Sequence, residues 1–347
     1  MNNRTINLIS DDDPLWTELL THVRHDLDHL PEYLGFRDKH AGTTTKMFVL
    51  QEGENLLLVP LVFTPLEPGF VDAASPQLQS SPVFSAESTP EWRNAAIEEM
   101  LEFLRDKGVV SLFLRTHALL DSVHEDFTPF GTVMEHNLTY AVPLQGSLDE
   151  IRSRMRKNHQ RNIKSAKKKG LSVVQDTEWE SLEEYHWIYS QTMERVGATD
   201  EFRFTKEYFE ELRDVLGSHG SLWVIRIDGV LAGAHLVTEV DGTVQYLYGG
   251  SHPEYFRKFP QIALFDAVLE WAYERGNDYY FLGGGLQESL HHFKAGITDF
   301  HPRPGSVRIV VNPEVFNRHC AQWEATYGEK IEDHAGFFPP YRRTFDE

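Results

Sequence analysis

The chain has 347 residues, 41% hydrophobic and 25% charged, with 33 Lys and Arg against 53 Asp and Glu and a formal net charge of −20. That length supports two domains with separate cores, and the balance is that of a soluble globular protein, not a disordered one. The charge argues against general attraction to nucleic acid or anionic membrane, no run approaches the roughly 18 apolar residues of a membrane helix, and a single cysteine, Cys320, excludes an intrachain disulfide.

The opening stretch MNNRTINLISDDDP lacks the basic and apolar regions of a signal peptide, so the expected location is cytoplasmic. Residues 15–30 read as a helix, followed by strands KMFVLQ and NLLLVPLVFT joined at the turn EGE. A helix over 91–107, the strand VVSLFLRT and a strand ending in LTYAVPL complete the first half. After a boundary near Pro143 to Ser147, helices are expected over 148–169, over 182–195 and in TKEYFEELRDVL. SLWVIRI, VLAGAHLVT and TVQYLYGG then form a meander, because Asp228-Gly229 and Asp241-Gly242 are strong hairpin turns. A helix over 261–275, stopped by Gly276, leads to the strand DYYFLGG, then SVRIVV and a last helix. Meander, helix, strand is the order of a GNAT-type acyltransferase core, and it occurs twice. The expected fold is α/β: tandem GNAT-like domains, 1–145 and 146–347, each a mixed, mainly antiparallel sheet flanked by helices.

From Arg152 to Lys169 the sequence RSRMRKNHQRNIKSAKKK holds nine Lys and Arg and no acid, which leaves 33 − 9 = 24 basic against 53 acidic residues, or −29, elsewhere. Ser147 and Glu150 form a capping box for the expected helix and Gly170 a stop. At 100° per residue Leu148, Ile151, Met155, Asn162 and Ala166 share a stripe, widened by His159 and Ile163. Arg154, Arg156, Lys157, Arg161, Lys164 and Lys168 fall on the remaining surface. These charges suit either a solvated helix or a polyanionic ligand that relieves their mutual repulsion, such as a tRNA, a nucleotide or a pyrophosphate-linked lipid.

In order, RSRMRKNHQRNIKSAKKKGLSV, YSQTMERVG, YLYGGS, WAYERGNDYYFLGGG and FKAGI span residues 147–298. Together they resemble the Fem-type (FemA, FemB and FemX-like) aminoacyltransferases and related acyltransferases of the GNAT superfamily. HLPEYLGF, VPLVF and DAASP extend the likeness loosely into the first half. There QLQSSPVF replaces a tyrosine- and glycine-rich stretch of many relatives. The resemblance implies transfer of an amino acid from aminoacyl-tRNA to an amine of a peptide-like or cell-wall-precursor acceptor, with tRNA as co-substrate and no other cofactor. It implies that Lys294 assists at the reacting centre with Phe293 beside it, and that Arg195 holds acceptor phosphates. It also implies that Tyr248 forms an aromatic wall of the substrate cleft, and that the basic helix receives tRNA or acceptor phosphates. Gly283 and Gly284 read as a strand exit that lets backbone and substrate approach closely.

Aminolysis of an ester needs orientation, an anchored leaving group and a stabilised oxyanion. No dedicated base is assigned, although Glu288 and Asp299 lie close in sequence to Lys294. A CoA-dependent GNAT enzyme holds pyrophosphate on the backbone N–H groups of a glycine loop opening the helix after the meander. Here that place reads EYFRKFPQIALF, without glycine and with Pro260 removing a donor. Acyl-CoA-dependent N-acylation of an amino sugar or lipid intermediate is therefore the second reading, and a non-catalytic RNA- or precursor-binding protein the third. No metal site is expected: adjacent His291 and His292 diverge on a helix, and His22, His25 and His29 share a face without a supporting carboxylate or thiol cluster. Cys320 reads as a neutral structural thiol.

Overall fold

The computed structural model describes residues 4–76, 79–120, 124–285, 288–331 and 336–344. The chain forms two compact units, one of residues 1–137 with 303–347 and one of residues 138–302.

The first unit begins with β1 (Arg4–Ser10), α1 (Pro14–Leu20), α2 (Pro31–Ala41), β2 (Thr45–Glu52), β3 (Asn55–Glu67), β4 (Phe70–Ala74) and β5 (Val83–Phe84). It continues through α3 (Pro90–Asp106), β6 (Val109–Thr116), α4 (His124–Phe127) and β7 (Thr132–Glu135). In place of the one helix expected over 15–30 stand α1, which ends at Leu20, and a 3-10 turn, Leu27–His29, and the next helix, α2, starts only at Pro31. Asp26 caps that turn and Pro31 opens α2, so the chain is broken by local capping where apolar spacing alone suggested continuity. His29 is buried, its Nε2 2.9 Å from the Ser81 carbonyl, as a packing residue; burial pulls its pKa down to about 4. β2 and β3 are apolar on both faces. Phe48, Leu57 and Val59 pack with Ile97, Met100 and Leu104 of α3, while Met47, Val49 and Leu58 pack with Trp16 and Leu19 of α1.

The second unit runs β8 (Tyr140–Pro143), α5 (Leu148–Arg154), α6 (Lys157–Lys168), β9 (Val173–Asp176), α7 (Leu182–Val196) and α8 (Lys206–Leu216). The meander β10 (Gly220–Ile227), β11 (Val230–Val240) and β12 (Thr243–Ser251) follows, then α9 (Pro260–Glu274), β13 (Tyr279–Gly283) and α10 (Glu288–Lys294). Its sheet has the order β8-β13-β12-β11-β10-β9, antiparallel except for the β12–β13 pair. On one face α5, α6 and α9 bury Ile151, Met155, Ile163, Leu264, Phe265 and Val268 against it.

The chain then returns to the first unit as β14 (Gly305–Val310) and α11 (Pro313–Tyr327). That sheet has the order β1-β2-β3-β4-β6-β14-β7, with β5 beside β3 and only β4–β6 parallel. The domain limits read from sequence, 1–145 and 146–347, are corrected on two counts. LTYAVPL supplies β8 of the second sheet, and SVRIVV supplies β14 of the first, between β6 and β7. Both strands are apolar enough to sit inside either sheet, so composition could not allocate them.

The basic helix expected over 148–169 is also corrected: it is α5 and α6, broken at Met155 and Arg156, both in extended backbone. The Arg156 N–H donates to the Gly296 carbonyl at 2.8 Å, and the Gln160 amide caps the carbonyls of Ser153 and Met155. Those bonds replace the helical ones lost at the break. Arg152 and Lys167 are pinned to α9: Arg152 grips the buried Asp266 at 2.7 Å and Glu270 at 2.7 Å, and Lys167 reaches Asp266 at 2.9 Å.

Two outcomes follow from this architecture. A fragment of residues 1–145 lacks β14, the only strand pairing β7 among the described residues, and is expected to show no cooperative melt by circular dichroism, whereas residues 138–302 melt as one unit. Arg152→Met leaves the buried Asp266 with Lys167 alone and is expected to cost about 2 kcal/mol in urea unfolding. Neutralising Arg154, Arg161 and Lys164, which make no such bridge, should change stability by less than about 0.5 kcal/mol each.

Candidate active site

β12 and β13 run side by side for only three residue pairs, Thr243 with Tyr279 to Gln245 with Phe281. Beyond them β12 follows β11 while β13 turns away, with Gly283 at φ 69° in the left-handed region that glycine adopts without strain. A cavity of about 770 Å³ opens at this end of the sheet. It is bounded by the end of α7, the end of β12, the start of α9, and Gly285 with the outer face of α10.

Most of its wall is apolar, from Met193, Phe202, Phe265, Leu290 and Phe293. Arg195 is the only charged side chain among the described lining residues. It lies 4.6 Å over the Phe256 ring, without a carboxylate partner among the described residues. Tyr246 supplies the aromatic wall, where Tyr248 was expected. Leu236 pairs with Tyr248 but Val237 pairs with Tyr246, so Leu247 is an extra bulged residue and the two tyrosines leave opposite faces of β12. Tyr248 packs at 5.9 Å against Tyr189 of α7 and at 6.2 Å against Phe209 of α8. An unbroken strand, with its period of two, would place both tyrosines on one face.

Lys294 is 3% exposed and does not line the cavity. Its ammonium donates to the carbonyls of Leu282, at 2.6 Å, and Gly284, and stands 5.6 Å from the centre of the Tyr246 ring, behind the cavity wall. Burial pulls its pKa down to about 8. Gly283 and Gly284 thus form the strand exit, where Lys294 holds the carbonyls of Leu282 and Gly284. Phe293 does line the cavity, packed on Phe265 at 5.7 Å and on His159 of α6 at 5.0 Å.

A second buried group was not visible in the sequence. The Gln261 amide donates to the Gly250 carbonyl at 2.8 Å and the Ser251 hydroxyl at 2.7 Å. Its oxygen faces Nε2 of the fully buried His235 at 2.6 Å, so that nitrogen carries the proton. Burial holds His235 down to about 3 and therefore neutral. Nothing in the motifs marked Gln261 or His235; a polar residue just inside the helix after the meander was the only signal.

The remaining sequence candidates divide. Arg154, Lys157, Arg161, Lys164 and Lys168 are exposed, without a carboxylate in bridging range among the described residues. Arg156 is half-buried and 2.6 Å from Nε2 of His292. With the Arg156 N–H on Gly296 and His159 Nε2 3.1 Å from the Phe293 carbonyl, this ties the head of α6 to the end of α10. His291 Nδ1 meets the Tyr140 hydroxyl at 3.0 Å. No group of three or more metal-ligating side chains occurs among the described residues, and burial pushes the Cys320 thiol up to about 11. The stretch EYFRKFPQIALF is a 3-10 turn, Pro253–Lys258, then Phe259 at φ 59° and the start of α9. In the first half, Gln77 and Leu78 of QLQSSPVF lie outside the described residues. Among the described residues no helix is long and apolar enough to cross a membrane.

Residues 153–295 match the family model described as an acetyltransferase (GNAT) domain. Among solved structures, FemX superposes with a TM-score of 0.71 at 14% identity, covering 90% of this chain and 99% of FemX. A conserved protein of unknown function from Bacteroides thetaiotaomicron VPI-5482 gives 0.56 at 10% identity, covering 88% and 100%. The C-terminal domain of a candidate lysylphosphatidylglycerol synthetase from Agrobacterium fabrum gives 0.53 at 10% identity, covering 84% and 90%. A comparison with curated proteins gave no match. Residues 153–295 are thus a GNAT acyltransferase domain, within a chain of two mixed α/β units that has the fold of FemX.

Proposed function

We propose that the protein is an aminoacyl-tRNA-dependent aminoacyltransferase that forms an amide bond on an amine of a peptide-like or cell-wall-precursor acceptor. The observation that carries this reading is the tie between α6 and the cavity. The free cations of α6 stand on a helix whose first turn is bonded to α10, and α10 supplies Phe293 to the cavity wall. A polyanion on α6 is thereby led to the place where an acyl group would be held. The closed 3-10 turn in place of a glycine cradle supports the same donor.

In this mechanism tRNA brings the activated acyl group, so no resident cofactor is needed. Arg154, Arg156, Lys157, Arg161, Lys164 and Lys168 bind its phosphates. Arg195 anchors an anionic group of the acceptor at the rim, and Gly283 and Gly284 leave room for the substrate backbone. Phe293 packs against the acyl ester and excludes water. Lys294 places a positive charge behind the wall, where it stabilises negative charge developing at the carbonyl. A second reading, N-acylation from acyl-CoA, is favoured by the match to an acetyltransferase domain.

Purified protein given charged tRNA or acyl-CoA together with candidate amines separates the two; transfer from acyl-CoA alone would sink the first. With tRNA as donor, neutralising Arg154, Arg161 and Lys164 should raise KM for tRNA about tenfold or more with kcat within twofold. Wild-type binding should weaken steeply with salt, with a shallower slope in the variant.

Lys294 is charged below about pH 8 and loses its proton above it, so activity should fall as pH rises through about 8. Lys294→Met should lower kcat about 10²-fold and flatten that alkaline limb. An unchanged limb would remove Lys294 from the reacting centre.

A further inference from the structure

The sheet of the second unit has two edges, β8 and β9, and the chain treats them differently. Outside β8, the Ala141 N–H donates to the Phe300 carbonyl at 3.3 Å, and the Ala141 carbonyl accepts from the Thr298 hydroxyl at 2.7 Å. β9 has β10 as its one strand partner, in unbroken antiparallel register from Val173 with Ile225 to Asp176 with Leu222. Among the described residues nothing bonds the outward N–H and C=O groups of Val173 to Asp176. Such a row is a template for another strand, and sheet edges are commonly blunted by charge, proline or a bulge. Val173, Val174 and Gln175 carry none of these, and Val174 is 55% exposed. It stands beside a cavity of about 730 Å³ that Ser172, Asp176, Val224 and Arg226 also line.

The ends of the strand say which partner fits. Before it, Lys169 closes α6, its N–H bonded to the carbonyls of Ser165 and Ala166, and Gly170 turns at φ 69°. After it, the Asp176 carboxylate accepts from the N–H groups of Glu180 at 3.0 Å and Ser181 at 2.8 Å, while Trp179 is buried. Both ends are thus held in place. Lys169, Glu178 and Glu180 are exposed, and none has an ion-pair partner among the described residues. The strand therefore has a positive end and a negative end. A parallel copy would set like charge against like. An antiparallel copy brings each positive end to a negative one.

We propose that β9 is a dimerisation edge, on which a second copy of this chain pairs antiparallel about a two-fold axis at Val174. Val174 then meets the partner subunit's Val174, and Gly170 lies opposite the partner subunit's Glu178. Lys169 comes beside the partner's Glu178 and the partner's Glu180. Residues that pair across strands share a face, so the two sheets continue as one. The contact is isologous and every interaction in it occurs twice. Two copies of charge −20 repel one another at longer range, so the dimer is a reversible one.

The inference is independent of the acyl donor. Sedimentation equilibrium of the full chain, from micromolar to near-millimolar protein, should show a mass rising from one copy to two. Lys169→Glu and Glu178→Lys should each dimerise about tenfold or more weakly, since the axis makes each substitution act twice. An equimolar mixture of these two variants restores opposite charges at both ends and should associate like the wild type. Val174→Lys places two cations on the axis and should remain monomeric, alone or mixed. Melting temperatures of the dilute variants should match the wild type, which separates loss of pairing from loss of folding. A wild type that stays monomeric throughout, or a mixture that fails to recover what each variant loses, would overturn the proposal.

Discussion

The second unit is organised around hydrogen-bonding groups that a sheet leaves unmet when two of its strands part. β12 and β13 stay together for three residue pairs, and beyond them carbonyls on both strands face a gap instead of a neighbour. A buried carbonyl left without a donor costs about 1–3 kcal/mol. Side chains meet the need: Lys294 spans the carbonyls of Leu282 and Gly284 on one side, and Gln261 takes that of Gly250 on the other. The gap is stable as an opening because its two edges are satisfied separately. The same two side chains sit directly behind or within the cavity wall, so holding the sheet open and shaping the cavity are one arrangement.

Charge is distributed by the same economy of position. The chain is strongly acidic, yet two of its acids, Asp266 and Glu270, are spent on Arg152 and Lys167, which fixes the basic segment against α9. The other cations of that segment have no such partner among the described residues and stay available to solvent or ligand. Committed cations, Arg152 and Lys167, stand in the same short stretch as the others, so a count of charges in the sequence overstated how many could bind.

Much of the fold was legible because it is written in local terms. The Asp-Gly turns set the meander, Gly276 stops α9, and the glycine run ends β13 where expected. The prominence of Phe293, Lys294 and Arg195 was legible as well, since each stands in a short recognisable word. What was hidden depends on partners distant in sequence. The break at Met155 and Arg156 is made by the carbonyl of Gly296, and with it His159 and Ile163 become buried where a straight helix favoured Asn162. The bulge at Leu247 sends Tyr246 and Tyr248 to opposite faces, and no glycine or proline stands at the bulge itself to announce it. His235 and Gln261 matter through each other, 26 residues apart, and neither is distinctive alone.

The return of β14 to the first sheet has a consequence for how the polypeptide leaves the ribosome. The second unit is one uninterrupted segment, whereas the first needs a strand that follows all of it. During vectorial synthesis the catalytic unit can therefore close while the earlier-made one still waits, with β6 and β7 exposed as unpaired edges, for residues 305–310 to emerge. The part of the protein made first is the part finished last, and a pause in translation between the two would expose the amino-terminal sheet, not the second unit, to aggregation or chaperones.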